Sequence, residues 1–71
     1  SVNIEFEVEN PSNIIFKFYD IIGNQVDLIN YGFTHSGIFD IVWSPELPSG
    51  SYFILMSDGE NIYKEKVTLI K

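Results

Sequence analysis

The sequence has no cysteine, no arginine and a single histidine among its 71 residues. Without cysteine no disulfide can brace the chain, and one histidine is too few for a zinc site. No apolar run approaches the roughly 20 residues of a membrane span, and no basic stretch precedes an apolar one as in a signal peptide. The sequence starts at Ser1 rather than at methionine. We therefore expect a piece of a longer precursor whose export signal lies elsewhere.

Positive charge is also scarce. Ten acidic side chains face four lysines, which gives a formal net charge of -6. Phosphate backbones and anionic lipid headgroups repel a surface of this sign, so the composition argues against a nucleic-acid partner and against direct insertion into a membrane. A partner with a basic face remains compatible with this charge.

Aromatic residues are abundant by contrast. Six Phe, four Tyr and Trp43 make up 15% of the residues. Each buried ring removes about 150–250 Å² from water, so a few rings can stabilise a chain near the lower size limit for folding without disulfides. The sequence therefore predicts one domain, residues 1–71, with a thin aromatic core.

Apolar and polar residues alternate with the period of two that is typical of β-strands. Turn residues rich in Gly, Pro, Asn and Asp separate these segments, and the stretch 30–37 is predicted to be a loose connection. A bulge is expected near Glu65 in the final strand. Six or seven strands at this spacing favour an all-β fold, a small antiparallel immunoglobulin-like β-sandwich. The predicted strands cover residues 2–9, 14–19, 25–29, 38–43, 51–57 and 62–70.

No segment carries a recognisable catalytic or metal-binding pattern. His35 sits in a predicted loop, and a solvated loop histidine is the simpler interpretation than a catalytic triad. Glu5, Glu7 and Glu9 lie about 7 Å apart on one strand face, where they form no cleft for paired-carboxylate chemistry. They are predicted to be a solvated acidic face that resists aggregation. We therefore expect no enzyme activity, no metal and no cofactor.

Turn and core residues follow one another in a characteristic order along the chain. They are Tyr19-Asp20, Gly23 and Val26, then Gly37 and Trp43, then Ser49-Gly50 with Tyr52, and last a strand that ends at Lys71. This order resembles the type A C-terminal sorting domain of the type IX secretion system of Bacteroidetes. The resemblance covers nearly the whole chain, and its specificity lies in the ordered set of signals rather than in any one of them. The related immunoglobulin-like domain of flagellar hook-capping proteins shares several of these signals.

This resemblance implies a non-enzymatic sorting signal. It implies as partners the type IX outer-membrane translocon, its shuttle protein and a cell-surface sortase, and it implies that the cargo reaches the cell surface or the medium through the periplasm. Val26, Gly37, Trp43 and Tyr52 are expected to maintain the fold. An adhesive or spacer module of immunoglobulin-like type is the alternative. The residues predicted to be recognised are Lys66, Val67, Thr68, Leu69, Ile70 and Lys71, together with Asp20, Gly23, Ser49 and Gly50.

Overall fold

A computed structural model describes residues 1–70, and these form six β-strands in two antiparallel sheets. The prediction of a small antiparallel β-sandwich is confirmed. This part of the chain contains no helix, and hence none long and apolar enough to cross a membrane. The strands are β1 (Val2–Val8), β2 (Ser12–Tyr19), β3 (Gln25–Thr34), β4 (Gly37–Trp43), β5 (Gly50–Ser57) and β6 (Ile62–Leu69).

The strands divide unequally between the sheets. β1 pairs with β4, and the other sheet has the order β3-β2-β5-β6. This arrangement corresponds to strands B and E facing strands C′, C, F and G of an immunoglobulin-like sandwich. Strands A and D have no counterpart among the described residues, so the smaller sheet covers the larger one only in part.

Alternation along β1, β2 and β4 separates the core from the surface. Every second residue of β2 from Ile14 is fully buried, namely Ile14, Phe16 and Phe18. The residues between them point to the outer face of the larger sheet, as the sequence pattern predicts. On the smaller sheet the outer face carries Glu5, Glu7 and Asp40, all exposed.

Trp43 is the centre of the core. Its ring stacks on Phe18 with centroids 4.2 Å apart, and it meets the ring of Tyr52 edge-on at 5.5 Å. The indole Nε1 donates a hydrogen bond of 2.8 Å to Oδ2 of Asp27. Tyr52 in turn donates from its hydroxyl to the carbonyl oxygen of Pro48 at 2.7 Å. Both polar groups on the rings therefore have partners, which removes the main cost of burying them.

Two predictions about strand limits are wrong. The stretch 30–37 is not a loose connection, because β3 continues to Thr34. A register shift between Ile14 and Ile15 keeps the extension paired, and Tyr31 packs edge-on against Phe6 at 5.2 Å. The bulge expected near Glu65 is absent, since β6 pairs with β5 from Ile62 to Leu69 in unbroken register. The bulges lie between β2 and β3 instead.

Candidate functional site

β6 is an edge strand held by its inward side chains. It pairs with β5, from Leu69 opposite Gly50 to Ile62 opposite Ser57, and its other edge has no partner strand in the described residues. Leu69 is 1% exposed, whereas the next residue, Ile70, is 73% exposed. The strand is therefore anchored in the core close to its end. Lys71 lies outside the described residues, so the prediction for it stays untested.

The two faces of β6 differ in character. Tyr63, Glu65 and Val67 share the inward row with Leu69, because they stand opposite inward residues of β5. Lys64, Lys66 and Thr68 form the outward row. Of the terminal residues predicted to be recognised, Val67 and Leu69 thus face the core, and Lys66, Thr68 and Ile70 are exposed.

The turn after β2 is organised by one carboxylate. Oδ1 of Asp20 accepts hydrogen bonds from the backbone amides of Ile22 (3.0 Å), Gly23 (2.9 Å) and Asn24 (2.9 Å). Asp20 therefore caps this turn, as Asp commonly does where backbone amides follow it. Gly23 has φ of 104°, a conformation that side chains with a Cβ rarely adopt. These hydrogen bonds, that from Asn24 foremost, lower the pKa of the Asp20 carboxyl below its ordinary value.

Replacing Asp20 with alanine is expected to lower the melting temperature by roughly a few degrees, because three amides lose their shared acceptor. Asparagine keeps an acceptor oxygen without the charge, so Asp20→Asn should fall between the parent and Asp20→Ala. Thermal unfolding at neutral pH, monitored by circular dichroism, measures the melting temperatures of the parent and the two variants. A melting temperature of Asp20→Ala equal to the parent's would contradict the role of the carboxylate.

The same turn predicts a pH dependence. Because the pKa of Asp20 is lower in the folded state, its stabilising effect is complete above the unfolded pKa and is lost as the pH falls through the folded pKa. The melting-temperature difference between the parent and Asp20→Ala should therefore shrink below about pH 4. A difference that stays constant between neutral pH and about pH 2 would exclude this linkage.

The outer face of the larger sheet collects positive charge and apolar side chains. Register aligns Lys17 of β2 with Leu55 of β5, and Leu55 with Lys64 of β6. A second row runs from Tyr19 through Phe53 to Lys66. Nζ of Lys64 lies 4.7 Å from the centroid of the Phe53 ring, within the range of a cation–π contact. We call this surface, formed by Lys17, Tyr19, Phe53, Leu55, Lys64 and Lys66, the lysine face.

The predicted recognition residues gather at one end of this sheet. The Asp20 turn borders a shallow hollow of about 250 Å³ whose wall includes Phe53, Leu55 and Lys64. Gly50 stands opposite Leu69, so Ser49-Gly50 lies beside the end of β6. Three segments that are distant in sequence are thus neighbours in space. Lys17 and Lys64 belong to the same surface and were missed, because only the strand register reveals their alignment.

The residues expected to maintain the fold have structural explanations. Val26 is partly buried against the core, and Trp43 and Tyr52 are buried in it. At Gly37 a Cβ atom would lie 3.2 Å from Cζ of Phe39, closer than a side chain normally approaches. These four positions therefore report on the fold and do not discriminate between functions.

His35 is exposed in the short connection between β3 and β4. Its Nδ1 lies 2.9 Å from the carbonyl oxygen of Ser36. Because a carbonyl oxygen can only accept, Nδ1 is the donor of this hydrogen bond. Its ring also meets Phe39 edge-on at 5.3 Å. Within residues 1–70 no group of three or more His, Asp or Glu side chains is placed to hold a metal ion.

No family model, curated protein or solved structure matches the chain.

Proposed function

We propose that this domain is a sorting signal that directs a cargo protein through a type IX outer-membrane translocon to the cell surface or the medium. The supporting observation is the state of the last strand. Leu69 anchors β6 in the core, and Lys66 and Thr68 remain exposed. The strand register places them at the same end of the larger sheet as the Asp20 turn and Ser49-Gly50. A shaped surface of this kind can be recognised only while the domain is folded.

The lysine face gives this recognition a physical basis. Its lysines attract an acidic partner surface, and Phe53 and Leu55 supply apolar area between them. The unpaired edge of β6 offers backbone donors and acceptors to a partner strand. In this proposal the translocon and its shuttle protein bind the lysine face, and a sortase then removes the domain. The domain itself contributes no catalytic group.

The test is secretion of a fusion in a Bacteroidetes host. Residues 1–71 placed after an exported fluorescent protein should carry it to the surface or medium, and removal of residues 66–71 should leave it in the periplasm. The double variant Lys64→Gln/Lys66→Gln should reduce secretion several-fold, because surface charges act mainly on the rate and specificity of encounter. Asp40→Asn, on the opposite face, is the control and should secrete like the parent.

Periplasmic retention of the unaltered fusion, in a host that secretes a known sorting domain, would contradict the proposal. An immunoglobulin-like adhesive or spacer module is the alternative, and it is favoured by the ring of Tyr63, which is 50% exposed and can stack on a sugar. Binding of the isolated domain to a glycan array, without secretion of the fusion, would favour that alternative.

A further inference from the structure

A groove of about 790 Å³ lies between the sheets, on the side away from the lysine face. It follows β1, whose one partner in the described residues is β4. Both inward and outward residues of β1 from Ile4 to Val8 line it, so the groove runs along the free edge of this strand. That edge presents backbone N–H and C=O groups without a partner strand.

The floor of the groove is apolar. It is formed by inward residues of β2 and β5, of which Ile14, Phe16 and Ile54 are buried and Met56 is half-buried. Beside this floor the rings of Phe33 and Tyr63, which also line the groove, are 78% and 50% exposed. Side chains of an added strand that pack against Met56, Phe33 and Tyr63 would bury apolar surface away from water, which favours aliphatic residues.

The rim is strongly acidic. Six of the ten acidic residues of the chain line the groove, and no lysine or histidine among residues 1–70 does. Glu65 belongs to the inward row of β6, where the partner sheet does not cover it. The acidic residues of the rim are Glu5, Glu7, Glu9, Asp58, Glu60 and Glu65.

We propose that this groove binds an extended segment of a partner protein in which apolar residues alternate with Lys or Arg. The segment adds to the sheet as a strand on the free edge of β1. Its inward side chains fill the apolar floor, and its outward basic side chains stand beside Glu5 and Glu7, the outward residues of β1. Opposite charges at such cross-strand positions are favourable, and main-chain hydrogen bonds supply affinity that does not depend on sequence.

Charge disfavours a second copy of this chain as the occupant. Two β1 strands paired edge to edge would bring the glutamates of both copies together, and like charges directly opposite each other are unfavourable. β6 carries alternate lysines, yet its inward Val67 and Leu69 already pack in their own core and cannot also fill the groove. A separate basic segment avoids the repulsion between glutamates, and its apolar side chains are free to fill the groove.

The length of β1 sets the length of this segment. Its seven residues, Val2 to Val8, span about 23 Å at roughly 3.3 Å per residue. A peptide of about seven residues therefore matches the edge. The proposal does not rest on the sorting function, because the lysine face and the groove lie on different surfaces.

The experiment titrates the isotope-labelled domain with the peptide Lys-Val-Lys-Val-Lys-Val-Lys, blocked at both ends, and follows amide resonances by NMR. Saturable shifts of the β1 amides below about 1 mM peptide, with slower hydrogen exchange along β1, are the expected result. Three control peptides should bind at least several-fold more weakly. One has its lysines and valines in separate blocks, one has Glu in place of Lys, and one is N-methylated at alternate residues to remove its backbone donors.

Variants locate the site. Glu5→Gln and Glu7→Gln should each weaken binding about two- to fivefold, since each loses one cross-strand charge pair. Asp40→Asn is the matched control, because Asp40 is outward and exposed but lies on β4, one strand further from the free edge. It should change the affinity less than either glutamate variant.

Several outcomes would overturn the proposal. The first is that the shifts are confined to the lysine face. The second is that the control peptide with lysines and valines in separate blocks, or the N-methylated one, binds as tightly as the alternating peptide. The third is that the affinity is unchanged in Glu5→Gln and Glu7→Gln. Self-association through β1 in the absence of peptide, detected by sedimentation, would also overturn it, because a second copy would then be the occupant. Exchange spectra of each variant without peptide verify that it is folded.

Discussion

Replacing Trp43 with alanine is expected to leave most of the domain unfolded at 25 °C. The indole is 2% exposed, stacks on Phe18 and contacts Tyr52, so its removal opens a large cavity at the centre of the core. Such a change costs about 3–5 kcal/mol, which is as much as a single core of this size usually supplies. Near-ultraviolet circular dichroism and amide dispersion in NMR spectra measure the folded fraction.

Two further variants separate packing from hydrogen bonding at this site. Trp43→Phe keeps an aromatic ring but leaves Oδ2 of Asp27 without its donor, so it should retain the fold and lose part of the stability. Asp27→Asn retains an acceptor oxygen and should cost less than Asp27→Leu, which leaves the indole N–H unpaired. A well-folded Trp43→Ala domain, melting within a few degrees of the parent, would show that the core is not organised around this ring.

Leu69→Ala is the second change with a large expected effect. The side chain is 1% exposed and closes the core at the end of β6, and its truncation should cost about 2–5 kcal/mol. The loss should be largest for the last strand, so hydrogen exchange of amides 62–69 should accelerate more than exchange in β2. Urea denaturation and exchange measured together provide both values.

Ile70→Ala is a closely matched control for this prediction. It removes a similar aliphatic side chain from the following residue, which is 73% exposed, and exposed substitutions usually change stability by less than about 0.5 kcal/mol. Equal effects of the two substitutions would contradict the anchoring of β6 by Leu69. In the secretion assay, a loss of export in Ile70→Ala alone would identify a contact with the machinery, since folding is preserved.

Local pattern predicts much of this fold. Alternation is sufficient to place Ile14, Phe16 and Phe18 inside and Lys17 outside, because side chains on a strand point to opposite faces in turn. Asp20 and Gly23 predict their turn from the chemistry of a carboxylate cap and a positive φ. In each case the cause lies within a few residues of the effect.

Features that depend on distant pairing could not be predicted. β3 extends to Thr34 because a bulge keeps it paired with β2 and because Tyr31 packs against Phe6. Neither interaction can be inferred from residues 30–34 alone. The lysine face requires β5 to lie between β2 and β6, and the groove exists because β1 has one partner strand within residues 1–70. Strand order determines both surfaces, and the alternation of apolar and polar residues within a strand does not specify it.

The opposite signs of the two outer faces make the domain an electric dipole. Lys17, Lys64 and Lys66 lie on one side of a body only 16 Å across in its shortest dimension, and Glu5, Glu7 and Asp40 lie on the other. Near a charged wall such a molecule experiences a torque at distances up to about the Debye length, roughly 8–10 Å at moderate ionic strength. Despite its net negative charge, it would turn its cationic side towards an anionic surface before the two touch. This orientation would weaken as salt is added.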